Sequence, residues 1–384
     1  MFSLFLSIIY LAFISLGLPD SMLGAAWPHM HTGFAVPLSY AGIISAIIAA
    51  GTILSSLRSD YLTAKLGTGV VTAGSVAMTA AALWGFSVTG SFPGLCLWAI
   101  PYGLGAGSVD AALNNYVALH YESRHMSWLH CMWGVGAASG PYIMGRALAA
   151  GSGWQGGYRT VAILQILLTV ILFLSLPLWK KTGADKDNTD DRRKPLALRD
   201  ILRIRGAKEV CICFFCYCAV EQTAGLWASS YMNLYHGVPA DTAAVFGSLF
   251  FLGITAGRAA SGFLTMRLSD WKMVRLGQAL ILIGIAIMLI PAGKAISPAG
   301  LVLIGLGCAP IYPCIIHSTP AHFGADKSQA IIGVQMASAY MGTLGMPPLF
   351  GIIAGHVSIA LLPLFLLALL ILMVLLHERL NKVA

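Results

Sequence analysis

KKTGADKDNTDDRRKPLALRDILRIRGAK, residues 180–208, is the longest polar stretch of the chain, and it carries ten of the 23 Lys and Arg residues. On each side of it lie six apolar runs of about twenty residues, the length a helix needs to cross the hydrocarbon of a bilayer. Before the stretch they cover 3–27, 37–57, 67–88, 92–118, 126–150 and 158–179. After it they cover 209–235, 241–265, 273–293, 298–320, 329–354 and 357–376. No run alternates with period two, which excludes an outer-membrane barrel. The reading is an all-α integral membrane protein with twelve transmembrane helices in two bundles, 1–179 and 209–384. The linker 180–208 opens with a charged, solvated part, 181–194. It closes with a basic amphipathic helix over 195–205 that would lie on an anionic membrane surface.

Composition agrees with that division. Of 384 residues, 58% are hydrophobic and 10% charged, against about 25% charged in a soluble domain. A soluble chain of this size could not cover so much apolar surface, so a soluble enzyme and a disordered chain are both excluded. Division of 384 residues by twelve leaves 32 for each helix with its connection. The N-terminus has no basic side chain ahead of its apolar run and reads as a retained helix 1 rather than a signal peptide.

The net charge of +8 would suggest nucleic acid in a soluble protein, but its location says otherwise. Nineteen of the 23 basic residues fall after even-numbered helices or in the C-terminal tail, whereas connections after odd-numbered helices hold only Arg159 and Lys294. Such a bias places the basic loops and both termini in the cytoplasm. The expected location is therefore the cytoplasmic membrane, with lipid and no nucleic acid as partner. Four of the eight cysteines, Cys211, Cys213, Cys216 and Cys218, share one apolar run without a second ligand pair, so they read as small apolar side chains. No P-loop, catalytic triad or metal-ligand spacing occurs, so neither enzyme activity nor a cofactor or metal is expected.

The halves repeat one another. Gly103-Leu-Gly105 matches Gly305-Leu-Gly307, Asp20 to Trp27 matches Glu221 to Trp227, Gly51 to Ser55 matches Gly257 to Ser261, and His130 to Gly140 matches Gln335 to Gly345, all at offsets of about 200. Four matches in one order indicate duplicated six-helix bundles, and parallel six-helix halves are the architecture of major facilitators.

Polar side chains inside the spans are few, and each is informative. A carboxylate at mid-bilayer costs roughly 2.5–3.5 kcal/mol on insertion scales. Asp20 in helix 1, Asp110 in helix 4 and Glu221 in helix 7 are therefore candidates for proton coupling. A carboxyl that takes a proton on one side and releases it on the other is a coupling device. Asn114 stands one helical turn from Asp110 and Asn115 borders the same face. With His130 and Trp133 on helix 5, Gln222, Trp227 and Tyr231 on helix 7, Tyr312 and His317 on helix 10, and Gln335 and Tyr340 on helix 11, they form the candidate solute-binding set. Amides and acids suit hydroxyl groups, and aromatic faces suit the C–H faces of a sugar ring.

The sequence resembles the major facilitator superfamily along its length, and within it the fucose-permease-like group of sugar:proton symporters. The resemblance is carried by Gly17-Leu-Pro-Asp20-Ser-Met-Leu, Gly103-Leu-Gly-Ala-Gly-Ser-Val-Asp110-Ala-Ala-Leu-Asn-Asn115, Leu129-His-Cys-Met-Trp-Gly-Val-Gly-Ala137 and Glu221-Gln-Thr-Ala-Gly-Leu-Trp227. In that group helices 1 and 4 each carry a carboxylate important for transport, and Asp20 and Asp110 fall on those positions, the second where the group has Glu. His130 falls on a Gln of the group's helix 5, and Trp133 on an Asn.

Three further motifs bear on the superfamily pattern. The loop signature after helix 2 is degraded here to Arg58-Ser-Asp60-Tyr-Leu-Thr-Ala-Lys65-Leu-Gly67, while its mirror Gly257-Arg258-Ala-Ala-Ser-Gly262 is better kept. Gly136-Ala-Ala-Ser-Gly140-Pro141-Tyr-Ile-Met-Gly145 is similar to a motif of drug antiporters. The resemblance implies a monomeric secondary-active importer of a sugar or similar polar solute. It would be coupled to protons and would rock its two halves about a central site. The alternative is a proton-coupled exporter of drugs or metabolites.

Overall fold

Hydrocarbon offers no partner to a backbone N–H or C=O, so an apolar run in a membrane closes its hydrogen bonds on itself as a helix. The computed structural model describes residues 2–20, 22–37, 40–181, 196–290 and 296–383, and every regular element in them is helical. Helix 1 of the sequence reading is α1 (Phe2–Asp20) followed by α2 (Met22–Gly33). Helix 2 is α3 (Ala41–Leu57), which bends by 55° into the short α4 (Ser59–Leu66). Helices 3 to 6 are α5 (Thr68–Val88), α6 (Phe92–His120), α7 (Ser123–Ala149) and α8 (Gly153–Lys181). After the one-turn α9 (Leu198–Ile201) come α10 (Ala207–Leu234), α11 (Ala240–Leu264), α12 (Asp270–Leu289), α13 (Ser297–Phe323), α14 (Ala325–His356) and α15 (Leu362–Val383). The chain is thus a twelve-helix membrane fold.

Among the described residues seven spans, one of them running over α1 and α2, qualify by length and apolar content together. Helices α6, α7 and α14 do not, although they run 29, 27 and 32 residues. Their hydropathy is diluted by glycines and by the buried Asn114, His130 and Gln335, each of which has a hydrogen bond to a neighbouring helix.

The linker departs from expectation. The amphipathic helix expected over 195–205 is only the four residues Leu198–Ile201. Beyond it the chain turns into Gly206, whose φ of 87° is left-handed and favours glycine. So short a helix does not hold itself. Ile201 is buried beneath it, while Arg199, Arg203 and Arg205 are exposed. The charged part expected over 181–194 lies outside the described residues, apart from Lys181 at the end of α8.

Contacts divide the chain into two compact units. One comprises Met1–Tyr116 and Leu129–Leu196, the other Val117–Trp128 and Ala197–Ala384. The second therefore takes in the connection between α6 and α7. That connection is held by Tyr121, whose carbonyl accepts from His317 Nε2 at 2.9 Å, by Ser123, whose hydroxyl donates to Asp270, and by Trp128, whose ring meets Phe263 at 5.9 Å.

Within each unit, glycines set the helix spacing in the same pattern. A methyl group added at Gly103 would strike the Ile48 carbonyl oxygen of α3, and one at Gly305 would strike the Phe250 carbonyl oxygen of α11. A methyl at Gly105 would meet the Ser75 oxygen of α5, and one at Gly307 the Gly277 oxygen of α12. Small residues allow such backbone contact between membrane helices. Every equivalent pair is 202 residues apart, so the internal repeat is a repeat of packing. The same rule corrects one sequence match. Gly253, packed on Val302 and Gly305, takes the place of Gly51, packed on Gly103 and Leu104, whereas Gly257 lies one turn further along.

Candidate functional site

In the N-terminal unit, α1 and α7 touch along a seam of glycines. A methyl at Gly136 would strike the Ile14 carbonyl oxygen, one at Gly140 the Leu18 oxygen, and one at Gly17 the Trp133 oxygen. This close approach is the structural use of the glycine pattern around Pro141. It also brings the Trp133 side chain to the end of α1, where Nε1–H donates to Asp20 Oδ2 at 2.9 Å. The other oxygen, Oδ1, accepts from the Tyr102 hydroxyl of α6 at 3.1 Å. Tyr102 is itself fixed in the core, its ring 6.4 Å from Phe86. Asp20 is exposed, so its carboxylate is oriented by two neutral donors yet remains accessible.

One helical turn apart on α6, Asn114 Nδ2 donates to Asp110 Oδ1 at 2.8 Å. With its N–H committed there, Asn114 presents its carbonyl oxygen to His130 Nε2 on α7 at 3.1 Å, so that ring nitrogen carries a proton. The His130 ring packs edge-on against Phe13 at 5.5 Å. Asp110, Asn114 and His130 are all buried and form one hydrogen-bonded chain linking α6 and α7, and Asn115 is buried beside it. A small cavity nearby is lined by Pro19, Tyr102 and Val109, among others, and by Ser15, Thr79 and Gln165. Gln165 Nε2 donates to the Ser15 carbonyl at 2.5 Å.

In the C-terminal unit, Glu221 of α10 accepts from the Tyr217 hydroxyl one turn earlier and lies 3.7 Å from the Arg258 guanidinium of α11. Tyr312 of α13 places its ring 6.0 Å from Tyr217 and its hydroxyl 3.1 Å from Met336 Sδ. Glu221 and Tyr312 are half-buried, and Gln222 is exposed.

Other members of the expected solute set are engaged within the C-terminal unit. Trp227 Nε1 donates to the Pro347 carbonyl at 3.0 Å, and the buried Tyr231 donates to the Met288 carbonyl at 3.3 Å. Gln335 is fully buried and accepts from Thr319 at 3.2 Å. His317 has Nδ1 at 2.5 Å from Asp270 and Nε2 at 2.9 Å from the Tyr121 carbonyl. Both nitrogens face acceptors, so both carry protons in this arrangement. Tyr340 is half-buried on α14. The structure thus groups Asp20 with Trp133, and Asp110 with Asn114 and His130. It leaves Trp227, Tyr231, His317 and Gln335 in contacts with neighbouring elements of the C-terminal unit.

Sequence reasoning missed three contributors: Tyr102, Tyr217 and Arg258. Tyr217 had a signal, because it stands four residues before Glu221. Arg258 had one too, as a basic residue in the middle of an apolar run. Tyr102 had none, its partner being 82 positions away. Among the described residues no group of His, Cys, Asp and Glu is disposed to hold a metal ion.

Comparison with known proteins follows the same lines. The model of the Major Facilitator Superfamily matches residues 9–294. The uncharacterized transporter y4wD of Sinorhizobium fredii is 24% identical over 344 residues, 89% of this chain and 88% of that protein. Among solved structures, FucP in its outward conformation superimposes with a TM-score of 0.78 at 18% identity, covering 97% of this chain and 98% of its own. The proton:xylose symporter XylE superimposes at 0.79 with 12% identity, covering 98% and 94%. A bacterial homologue of an iron transporter and a human organic anion transporter share the fold as well, so the fold alone leaves the solute open.

Proposed function

Because the chain belongs to the Major Facilitator Superfamily, we propose that it is a secondary-active importer of a sugar or similar small polar solute, driven by protons through alternating access. The observation that carries the reading is the pair of oriented carboxylates in the N-terminal unit. Asp20 is held accessible between Tyr102 and Trp133, and Asp110 heads the chain to Asn114 and His130. Carboxylates at membrane depth are expensive and mark ion or proton pathways. In this account Asp20, Asp110 and Glu221 exchange protons. Asn115, Gln222, Tyr312 and Tyr340, with the indole of Trp133, contribute solute contacts, and Asn114 and His130 hold Asp110 in place.

The fucose:proton symporter FucP and the xylose symporter XylE share the fold, so a sugar as solute and symport as mode are compatible with it, as other solutes are. The glycine motif that resembles drug antiporters has a packing use here, so it adds nothing to an exporter reading. The protein is assigned to the cytoplasmic membrane as a monomer, with the basic loops and both termini inside. Residues 1–179 and 209–384 act as the two moving halves and 180–208 as their tether.

The test is uptake of a panel of labelled hexoses, pentoses and their acids into proteoliposomes with an acid exterior. At least one is expected to accumulate above its external concentration and to leak out again when a protonophore is added. Accumulation that follows a sodium gradient and ignores pH overturns proton coupling, and no accumulation at all overturns the import reading.

A further inference from the structure

Glu221 stands midway along α10, and Arg258 lies in the last third of α11. Lys208 and Glu209 stand in the first turn of α10. The pair is 7% exposed on the arginine and 13% on the glutamate. The fully buried Tyr217 ties the two together, donating to Glu221 and hydrogen-bonding Arg258. As long as Glu221 is ionised the cluster is neutral.

The reading of Glu221 as a proton acceptor changes that balance. A proton on Glu221 removes the countercharge of a guanidinium that stays cationic at any working pH. A cation stranded inside a membrane bundle is strongly unfavourable, and breaking one side of a buried pair is far worse than removing both. Protonation of Glu221 therefore needs a second anion at the same place. A neutral sugar supplies none, whereas a solute carboxylate supplies one in the geometry a guanidinium fork recognises.

From this we propose that Arg258 is the anchor of a carboxylate-binding subsite in the C-terminal unit, and that the solute is a sugar acid or hydroxy acid. The inference rests on the proton-coupling reading of Glu221 and deepens it. In the resting state Glu221 is ionised and occupies Arg258. The proton arrives on a Glu221 oxygen as the solute carboxylate takes over the guanidinium, and its departure returns Arg258 to Glu221. No covalent bond to the solute forms or breaks. Tyr217 follows whichever carboxylate is present. The Glu221 side chain keeps 13% of its surface exposed, so the pair is not fully sealed, and the half-buried Tyr312 lies close enough to act on Arg258.

The experiment compares D-glucuronate and D-gluconate with D-glucose and L-fucose as labelled probes in acid-outside proteoliposomes of the full chain. At least one acid is expected to accumulate, and Arg258→Gln is expected to reduce its uptake at least 100-fold, with Arg258→Lys recovering part. Glu221→Gln mimics the protonated state. It is expected to keep acid exchange across the membrane while losing the pH dependence of accumulation. The double variant Glu221→Gln with Arg258→Gln has no buried charge to strand and is expected to be monodisperse on size exclusion, yet to accumulate no acid. Accumulation of a neutral sugar but of neither acid overturns the inference and leaves the proposed function standing. Acid accumulation that survives in the double variant also overturns it. Absence of uptake for all four probes overturns the inference, and absence for the whole panel of hexoses, pentoses and acids overturns both readings.

Discussion

Asn114 sits in the middle of the Asp110–Asn114–His130 chain, and its bond to His130 can be measured by a double-mutant cycle. The bond is 3.1 Å long and joins α6 to α7. Its partners are 0% and 5% exposed, so water does not replace a lost partner. Interhelical hydrogen bonds in membrane proteins contribute about 0.6 kcal/mol on average and about 1.7 at most. Donation of the Asn114 N–H to the Asp110 carboxylate polarises the amide and makes its oxygen a better acceptor. That places the expected coupling in the upper part of the range, about 1–1.5 kcal/mol. Each single change, Asn114→Ala or His130→Ala, removes a partner from a buried polar group and should cost about 1–3 kcal/mol. The assay is equilibrium unfolding of the wild type, both single variants and the double variant in mixed micelles of increasing SDS fraction. The two single losses should exceed the loss of the double variant by the coupling energy. A coupling within about 0.3 kcal/mol of zero, the usual scatter of independent sites, would refute the reasoning.

Other consequences can be checked separately. Gly136→Leu and Gly140→Leu force α7 away from the backbone of α1 and should each destabilise by about 1–3 kcal/mol, as overpacked cores do. Gly134→Ala, where nothing lies within 4 Å of the added methyl, should be neutral or slightly stabilising in the same SDS-unfolding assay. Trp133→Phe removes the N–H that orients Asp20, a hydrogen bond to a charged group of about 1.5–3 kcal/mol. Solute uptake should fall roughly tenfold or more, and a change under about twofold would contradict that role for Trp133. His317→Ala removes one donor from the Tyr121 carbonyl and one from the Asp270 carboxylate together. Amide hydrogen exchange over residues 117–128 should speed up in this variant, with no change over 92–110, and equal rates would show that the histidine does not hold the connection.

The fold was largely legible in the sequence because hydropathy acts locally. Twelve apolar runs became twelve helical spans, and most ends fell within a few residues of expectation. Two features were not local. The linker helix over 195–205 was read from its amphipathic pattern, but pattern alone does not stabilise so short a helix, and only the turn seated on Ile201 formed. The helix-8 register was misjudged by one turn because Gly253 and Gly257 are equally small, and only contact with Gly305 distinguishes them. The candidate site was legible as residue types rather than as partners. Asp110 and Asn114 share a helix face, so their bond follows from spacing. The Asp20 bond to Trp133 spans 113 positions, and nothing in either segment announces it. Trp227 and Tyr231 have the composition of sugar contacts, yet their polar hydrogens go to the carbonyls of Pro347 and Met288. Aromatic residues in a membrane bundle serve packing and binding with the same chemistry, and the sequence does not separate the two.

The most direct test of proton coupling at the N-terminal carboxylates separates exchange from accumulation. For whichever sugar or sugar acid the panel identifies, pH-driven accumulation and equilibrium exchange are measured in proteoliposomes of the wild type, Asp20→Asn and Asp110→Asn. Equilibrium exchange needs the carrier to reorient loaded, without net proton release, whereas accumulation needs a proton to come off inside. The account predicts that at least one variant keeps exchange at a measurable rate while losing accumulation. Accumulation at the wild-type level in both variants would contradict it.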